Sequence, residues 1–139
     1  MGMYTELMLK ADVKRDLPAD VEAVLQHLFN GADRPESLPD HRFFALDRWS
    51  QIGSMSSYYH IPWATSKYND GYIFSRSDLK NYGGEIEAFV DWVMPYLDKF
   101  EGECIGWSWY EEDDCPTMLH MTANAKVSGA DTASAGLPG

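Results

Sequence analysis

The feature of the sequence that most constrains the fold is an amphipathic helix pattern in EIEAFVDWVMPYLDKF, which follows Gly83-Gly84. Acidic residues Glu87, Asp91 and Asp98 lie opposite the apolar side of this pattern. Pro95 cannot donate a backbone hydrogen bond, so a kink is predicted near the end of the helix. Apolar residues recur at the spacing that lines one side of a helix: Ile86, Phe89, Val90, Val93, Met94 and Leu97.

The first part of the chain predicts one strand and then one helix. Alternation from Tyr4 to Val13 favours a strand, with Leu7 and Leu9 on the opposite face from Glu6 and Met8. The helix is predicted to be capped by Asp16 or Leu17, to hold Pro18 in its first turn and to end at Asn30-Gly31. Its apolar residues keep helical spacing: Val21, Val24, Leu25 and Leu28.

The middle of the chain predicts a hairpin after an ambiguous segment. The pattern from residue 42 to 49 fits either a short helix or a strand. Residues 56–68 predict a strand, Asn69-Asp70-Gly71 a tight turn, and residues 72–76 the returning strand. Pro62 removes one ladder donor, so the outgoing strand is expected at an edge or with a bulge.

A final hairpin is predicted from Cys104–Tyr110 and Thr117–Thr122, joined by the acidic loop EEDDCP. Strict alternation along its first strand would place Ile105, Trp107 and Trp109 on one face.

The order of these elements predicts an α+β fold, a mostly antiparallel sheet with two helices packed on one face. A ferredoxin-like split arrangement is one of the topologies compatible with this order. We expect residues 1–122 to form a single domain and residues 123–139, which are small and polar, to form a C-terminal tail.

Composition narrows the partners that the chain can have. The net charge of −11 argues against direct binding of nucleic acid, which depends on Lys and Arg neutralising phosphates. No apolar run is long enough for a membrane span, and no signal peptide is recognisable, so a cytoplasmic location is expected. Residues 1–80 hold eleven acids and nine bases, whereas residues 81–139 hold eleven acids and only Lys99 and Lys126. The acidity is therefore regional.

The candidate binding site is this acidic region, with Lys99 as its only nearby base. Its carboxylates would form a face that imitates nucleic-acid phosphates or meets a basic protein. A solvated helix face and loop is the alternative explanation, because charge runs usually mean only that. The candidate residues are Glu85, Glu87, Asp91, Asp98, Glu101, Glu103, Glu111, Glu112, Asp113 and Asp114.

The sequence contains no recognisable metal or cofactor motif. The EEDDCP loop lacks the alternating ligands of a calcium loop, and the four histidines do not have zinc-site spacing. Cys104 and Cys115 lie too far apart along extended chain for a disulfide, so two free thiols are expected. No cofactor, metal or catalytic residue is therefore predicted, although a pocket near His41, His60 and Arg76 would support an enzymatic or ligand-binding alternative.

Aromatic residues crowd the middle hairpin. They are expected to contribute to the core or to cross-strand pairs, with an oligomer contact as the alternative. The residues are Tyr58, Tyr59, Trp63, Tyr68 and Tyr72.

Six segments carry a resemblance to known proteins: MYTELMLK at Met3, LPDHRFF at Leu38, SSYYH at Ser56, SRSDLKNY at Ser75, EIEAFVDWVMPYL at Glu85 and GECIGWSWYEEDDCPT at Gly102. Through them the chain resembles a small family of uncharacterised acidic proteins from bacteria and their phages or prophages. The resemblance implies a phage-associated protein, and small acidic phage proteins often block host-defence or nucleic-acid-processing proteins.

The leading hypothesis is a non-enzymatic binding protein whose acidic face docks on a basic nuclease or CRISPR-type effector. An immunity-type protein that neutralises a toxin would use the same acidic surface, and a small enzyme is the third hypothesis.

Overall fold

The computed structural model describes residues 4–55 and 66–122. Five strands form one antiparallel sheet in the order β2-β3-β1-β4-β5. The order of the first four is that of a ferredoxin-like split β-α-β fold, and β5 extends the sheet at one edge. The elements are β1 (Thr5–Asp12), α1 (Ala19–Asn30), β2 (Lys67–Asn69), β3 (Tyr72–Leu79), α2 (Glu85–Val93), β4 (Cys104–Tyr110) and β5 (Thr117–His120).

Both helices pack on one face of the sheet, which we call the helix face, and the other is the open face. Along β1, Leu7 and Leu9 are fully buried on the helix face, whereas Glu6 and Met8 point to the open face and are half-buried. Strand alternation produces this division. The predicted α+β fold, with a largely antiparallel sheet and two helices on one face, is confirmed.

The turn between β2 and β3 matches its sequence signature. Asp70 and Gly71 have φ angles of 53° and 72°, the positive values that a type I′ hairpin turn requires at both central positions. The strand β3 continues to Leu79, three residues beyond the predicted end. Most of the predicted outgoing strand, with Pro62, lies outside the described residues.

The ambiguous segment forms neither a strand nor a regular α-helix. It contains two short 3-10 helices, Arg42–Ala45 and Trp49–Gln51. Their buried side chains Phe43 and Trp49 pack edge-to-face, with ring centroids 5.8 Å apart, and Phe43 also stacks on Trp92 of α2. This aromatic packing fixes the segment against the core.

The buried side of α2 differs from the predicted stripe. Ala88 and Trp92 are buried, whereas Val90, a predicted core residue, is only half-buried. Compared with the prediction, the helix is therefore rotated about its axis towards the aromatic side chains of the first 3-10 helix. Its regular part ends at Val93, and Pro95 follows within a 3-10 turn, so the predicted kink is a change of helix type.

A β-bulge in β4 overturns the predicted alternation of its aromatic residues. The register shifts between Cys104 and Gly106, after which Trp107 lies opposite Met8 and Ser108 lies opposite Leu7. Ile105 is therefore in the core, whereas Trp107 and Trp109 point to the open face. The bulge is the physical reason, because the extra residue reverses the faces of the residues beyond it.

The bulge depends on glycine at position 106, where a Cβ would overlap the backbone carbonyl of Met8. We expect Gly106→Ala to lower the free energy of unfolding by about 3 kcal/mol, because the strands must separate to admit a methyl group. Gly102→Ala is the matched control. Gly102 also has a positive φ, but an added methyl group would meet no neighbouring atoms, so backbone strain alone should cost about 1 kcal/mol. Urea unfolding measures both, and equal losses would contradict this explanation.

Candidate functional site

Eight of the ten predicted acids, all except Glu85 and Asp91, lie in two groups at opposite ends of the sheet. The turn after β4 and the start of α2 are at one end, and the chain leading into β4 is at the other. The strand β4 spans seven residues, so at about 3.3 Å per residue the groups are about 20 Å apart. Screening in physiological salt acts over roughly 8 Å, so the groups act separately. The predicted acids do not form one continuous patch.

Glu85 does not lie on the acidic surface. Its side chain is buried, with 1% of the residue exposed. Its carboxylate accepts hydrogen bonds from the backbone N–H groups of Gly83, at 3.1 Å, and Arg48, at 3.3 Å. Glu85 thus joins the start of α2 to the segment before Trp49, and a partner cannot reach it. The prediction that Glu85 lies on an exposed acidic face is wrong, because its side chain is buried.

Asp91 is exposed but has cationic and polar neighbours from the first half of the chain. His41 Nε2 lies 3.0 Å from Asp91 Oδ2, and a guanidinium nitrogen of Arg42 lies 3.9 Å from the same oxygen. The N–H of Phe43 donates to His41 Nδ1, so Nε2 is the ring nitrogen that faces Asp91 and can donate to it. This contact holds the first 3-10 helix against α2.

The group beside the turn, which we call the acidic end, consists of Glu87, Glu111, Glu112, Asp113 and Asp114. All five residues are exposed. Within residues 4–55 and 66–122, none of these carboxylates has a salt bridge to Lys, Arg or His. Lys80 lies nearby, but its ammonium is placed over the ring of Tyr4, 5.7 Å from the centroid. The negative charge of the acidic end is therefore uncompensated by the described part of the chain.

Backbone contacts fix the position of the acidic end. The Glu111 carboxylate accepts from the N–H of Tyr4 at 2.7 Å, and the Glu111 N–H donates to the Tyr4 carbonyl. Trp109 Nε1 donates to the carbonyl of Asp113 at 2.9 Å, and Asn81 donates to the Glu87 carboxylate at 2.8 Å. These bonds anchor the acids to the sheet and to α2.

The pKa of Tyr110 reflects the negative charge at the acidic end. Its pKa is raised, first by loss of hydration and then by the negative charges of Glu112, Glu111 and Asp113. A tyrosinate placed beside carboxylates is disfavoured, so the direction of the shift agrees with a concentrated negative potential.

The opposite group, Asp98, Glu101 and Glu103, lies along the same stretch of chain as Lys99. Lys99 Nζ lies 3.3 Å from a carboxylate oxygen of Asp12. Its pKa is raised, first by the hydrogen bond to Asp12 and with smaller contributions from the charges of Asp12 and Glu103, although burial opposes the shift. Of the acids at this end, Glu103 therefore acts electrostatically on a nearby lysine.

Next to the acidic end, a trough runs between α2 and the β4–β5 hairpin. It consists of two depressions, of about 310 Å³ and 230 Å³, which share Glu87 and Ser108. The first is lined mainly by polar residues and includes Asp113 and Tyr110, and the second is lined by Val90, Met94 and Leu119 among others. We call the combined depression the α2–β5 trough.

The β-bulge in β4 explains why the floor of the trough is open. In the part of β4 that follows the bulge, Ser108 lies on the helix face, and its side chain is only a hydroxymethyl group. The helix-face side chains of β5 also remain accessible, since Thr117 is exposed and Leu119 is half-buried. Sequence reasoning missed these trough residues. The signal that could have identified them is Gly106, because a glycine inside a strand pattern marks a bulge.

The alternative pocket near His41, His60 and Arg76 does not form between the described members. His41 packs against α2 on the helix face, whereas Arg76 lies on the open face and pairs with Glu6. His60 is outside the described residues. A depression of about 410 Å³ is lined by Tyr4, Arg48 and Lys80 among others, but it contains neither His41 nor Arg76.

Cys104 and Cys115 are free thiols, as predicted, and both are exposed. Among residues 4–55 and 66–122, no group of three or more His, Cys, Asp or Glu side chains could hold a metal ion. In the same residues, no helix combines the length and the apolar character needed to cross a bilayer.

The aromatic residues of the middle hairpin are only partly described. Tyr68 is buried, and its hydroxyl donates to Glu22 at 2.7 Å. Burial, together with this hydrogen bond and the charge of Glu22, raises the pKa of Tyr68 to about 12. Tyr72 is exposed on the open face. Tyr58, Tyr59 and Trp63 are outside the described residues, so the oligomer contact stays a prediction.

The geometry defines a small α+β protein with an acidic end that adjoins an open trough. Comparison of the chain with protein-family models, curated proteins and solved structures found no match.

The electrostatic effect of the turn on Tyr110 can be measured directly. In Glu112→Gln/Asp113→Asn, we expect the pKa of Tyr110 to fall but to stay above the ordinary value, because loss of hydration is the larger cause. Ring-carbon NMR of Tyr110 across alkaline pH measures it. The control Asp98→Asn/Glu101→Gln, at the opposite end, should leave the pKa unchanged. A pKa that is the same in all three proteins would refute a local negative potential.

Proposed function

We propose that this protein is a non-enzymatic binding protein that blocks a basic nucleic-acid-processing or host-defence protein, a nuclease or CRISPR-type effector, through its acidic end. The observation that carries the proposal is a concentration of exposed carboxylates. Five of them lie together on the turn after β4 and the adjoining start of α2, and none has a salt bridge among the described residues.

A surface of this kind suits a partner whose binding groove carries Lys and Arg. Opposite charges accelerate association and disfavour partners of the wrong charge, and both effects weaken as salt increases. Exposed acids on a turn also need little rearrangement to bind, because backbone bonds already fix Glu111 and Asp113. The proposed complex should therefore form rapidly and depend strongly on salt.

The choice of a nucleic-acid-processing or host-defence partner rests on the resemblance to phage and prophage proteins. A cytoplasmic location follows from the same proposal, because such enzymes act in the cytoplasm. An immunity-type protein would present the same acidic surface to a basic toxin, so the identity of the bound protein separates the two roles.

Charge reversal tests which end of the molecule binds. The wild-type chain, Glu112→Lys/Asp114→Lys and Asp98→Lys/Glu101→Lys serve as baits in a bacterial lysate cleared of nucleic acid. The two variants have the same net charge. We expect basic nucleases or effectors to be retained by the wild type and the Asp98 variant, and to be reduced at least tenfold on the turn variant. Quantitative mass spectrometry measures retention.

Each retained protein is then purified, and its nuclease activity is measured with and without the chain over a range of salt concentrations. Inhibition that weakens as salt rises supports the proposal. Equal losses for the two charge variants would show that net charge alone is responsible, and that result would overturn the role of the acidic end. Recovery of a toxin without nuclease activity would favour the immunity role.

A further inference from the structure

The apolar half of the α2–β5 trough is a second feature that the acidic end does not explain. Val90, Met94 and Leu119 line it, together with Ile86. Val90 and Leu119 are only half-buried, although α2 otherwise buries the apolar residues on its inner side. This half of the sheet therefore offers apolar surface that α2 leaves uncovered.

The trough is also asymmetric in charge. Glu87 lies where its two halves meet, Asp113 lies at the polar end, and Asp91 lies on the side of α2. Neither half has a Lys or Arg among the described residues that line it. An occupant that complements this surface carries apolar side chains for one half and a cationic group for the other.

We propose that the trough binds a basic, amphipathic segment of the partner protein. One or more apolar side chains of the segment enter between Val90, Met94 and Leu119, and a Lys or Arg reaches Glu87 and Asp113. This inference rests on the proposed function and identifies the part of the partner that is recognised. The acidic end attracts the partner, and the apolar half of the trough adds short-range contact.

The two contributions respond differently to salt and to mutation. Attraction between charges is screened by salt, whereas burial of apolar surface is not weakened by moderate salt. Removing apolar side chains from the trough should therefore weaken a complex without changing its salt dependence. Removing charge at the turn should change the salt dependence.

Synthetic octapeptides are suitable probes of the trough. The first alternates lysine and leucine, the second lysine and serine, and the third glutamate and leucine. We expect the lysine–leucine peptide to bind at least tenfold more tightly than either of the others, because only it satisfies both halves. Two-dimensional amide NMR of the full chain measures affinity and locates the peptide. The shifts should centre on Glu87, Ser108 and Leu119.

The variant Val90→Ser/Leu119→Ser removes apolar surface without altering charge. It should bind the lysine–leucine peptide about tenfold more weakly than the wild type and bind the lysine–serine peptide equally well. Unchanged amide spectra away from the trough show that the variant is folded. As a second measurement, the single variant Leu119→Ser on the hairpin should produce part of the same loss.

Three outcomes would overturn the trough proposal. They are equal affinity for the lysine–leucine and lysine–serine peptides, shifts centred near Glu101 and Glu103, and no binding of any peptide. With equal affinities and shifts at Glu112 and Asp113, the acidic end would still bind cations, so the proposed function would survive. The proposed function itself fails in the lysate experiment, if the turn variant retains the same proteins as the wild type or if both charge variants lose them equally.

Discussion

The close approach of β4 to the central strand β1 is the constraint on which the rest of the structure depends. At Gly106 the two backbones approach so closely that any side chain would overlap the Met8 carbonyl. The bulge at this point reverses the faces of the following residues. Trp107 and Trp109 are thereby directed to the open face, and the small residue Ser108 is left on the helix face. The bulge at Gly106 thus leaves β4 with small side chains on the helix face, next to α2.

The orientation of α2 about its axis also depends on where the bulky aromatic residues lie. Trp92 packs against Phe43 and Phe44 from the first 3-10 helix, and Phe89 contacts Phe43. These aromatic contacts draw α2 towards the side of the sheet that holds α1, because large rings bury the most apolar surface. Val90 is left at the margin of the core. An open trough beside β5 results from aromatic packing on one side of α2 and small residues on the other.

The features that could be predicted from sequence are those that local chemistry determines. The strand β1, the Asp70-Gly71 turn and the end of α1 at Gly31 each depend on a few neighbouring residues. The start of α1 differs from the prediction, because its N-cap is Pro18 and not Asp16 or Leu17. The bulge could not be placed, because it depends on the distance between β4 and β1. The pairing of His41 with Asp91 joins residues fifty positions apart, and the burial of Glu85 depends on the Arg48 backbone. Long-range contacts therefore decided which predicted acids remain available.

The distribution of charged groups in the structure suggests why the chain concentrates carboxylates at the acidic end. Like charges on adjacent turn residues repel one another, and removing one would relieve that cost. Three acids elsewhere in the described residues do have a cationic or histidine partner, as Asp12 has Lys99 and Asp91 has His41. The ammonium of Lys80 is placed over the ring of Tyr4, and in the described part of the chain no salt bridge joins it to a carboxylate of the turn. Acidity needed for solubility alone could be spread over the whole surface. Within the described residues these carboxylates are concentrated beside an apolar trough and have no salt bridge, which supports the proposal of a basic partner.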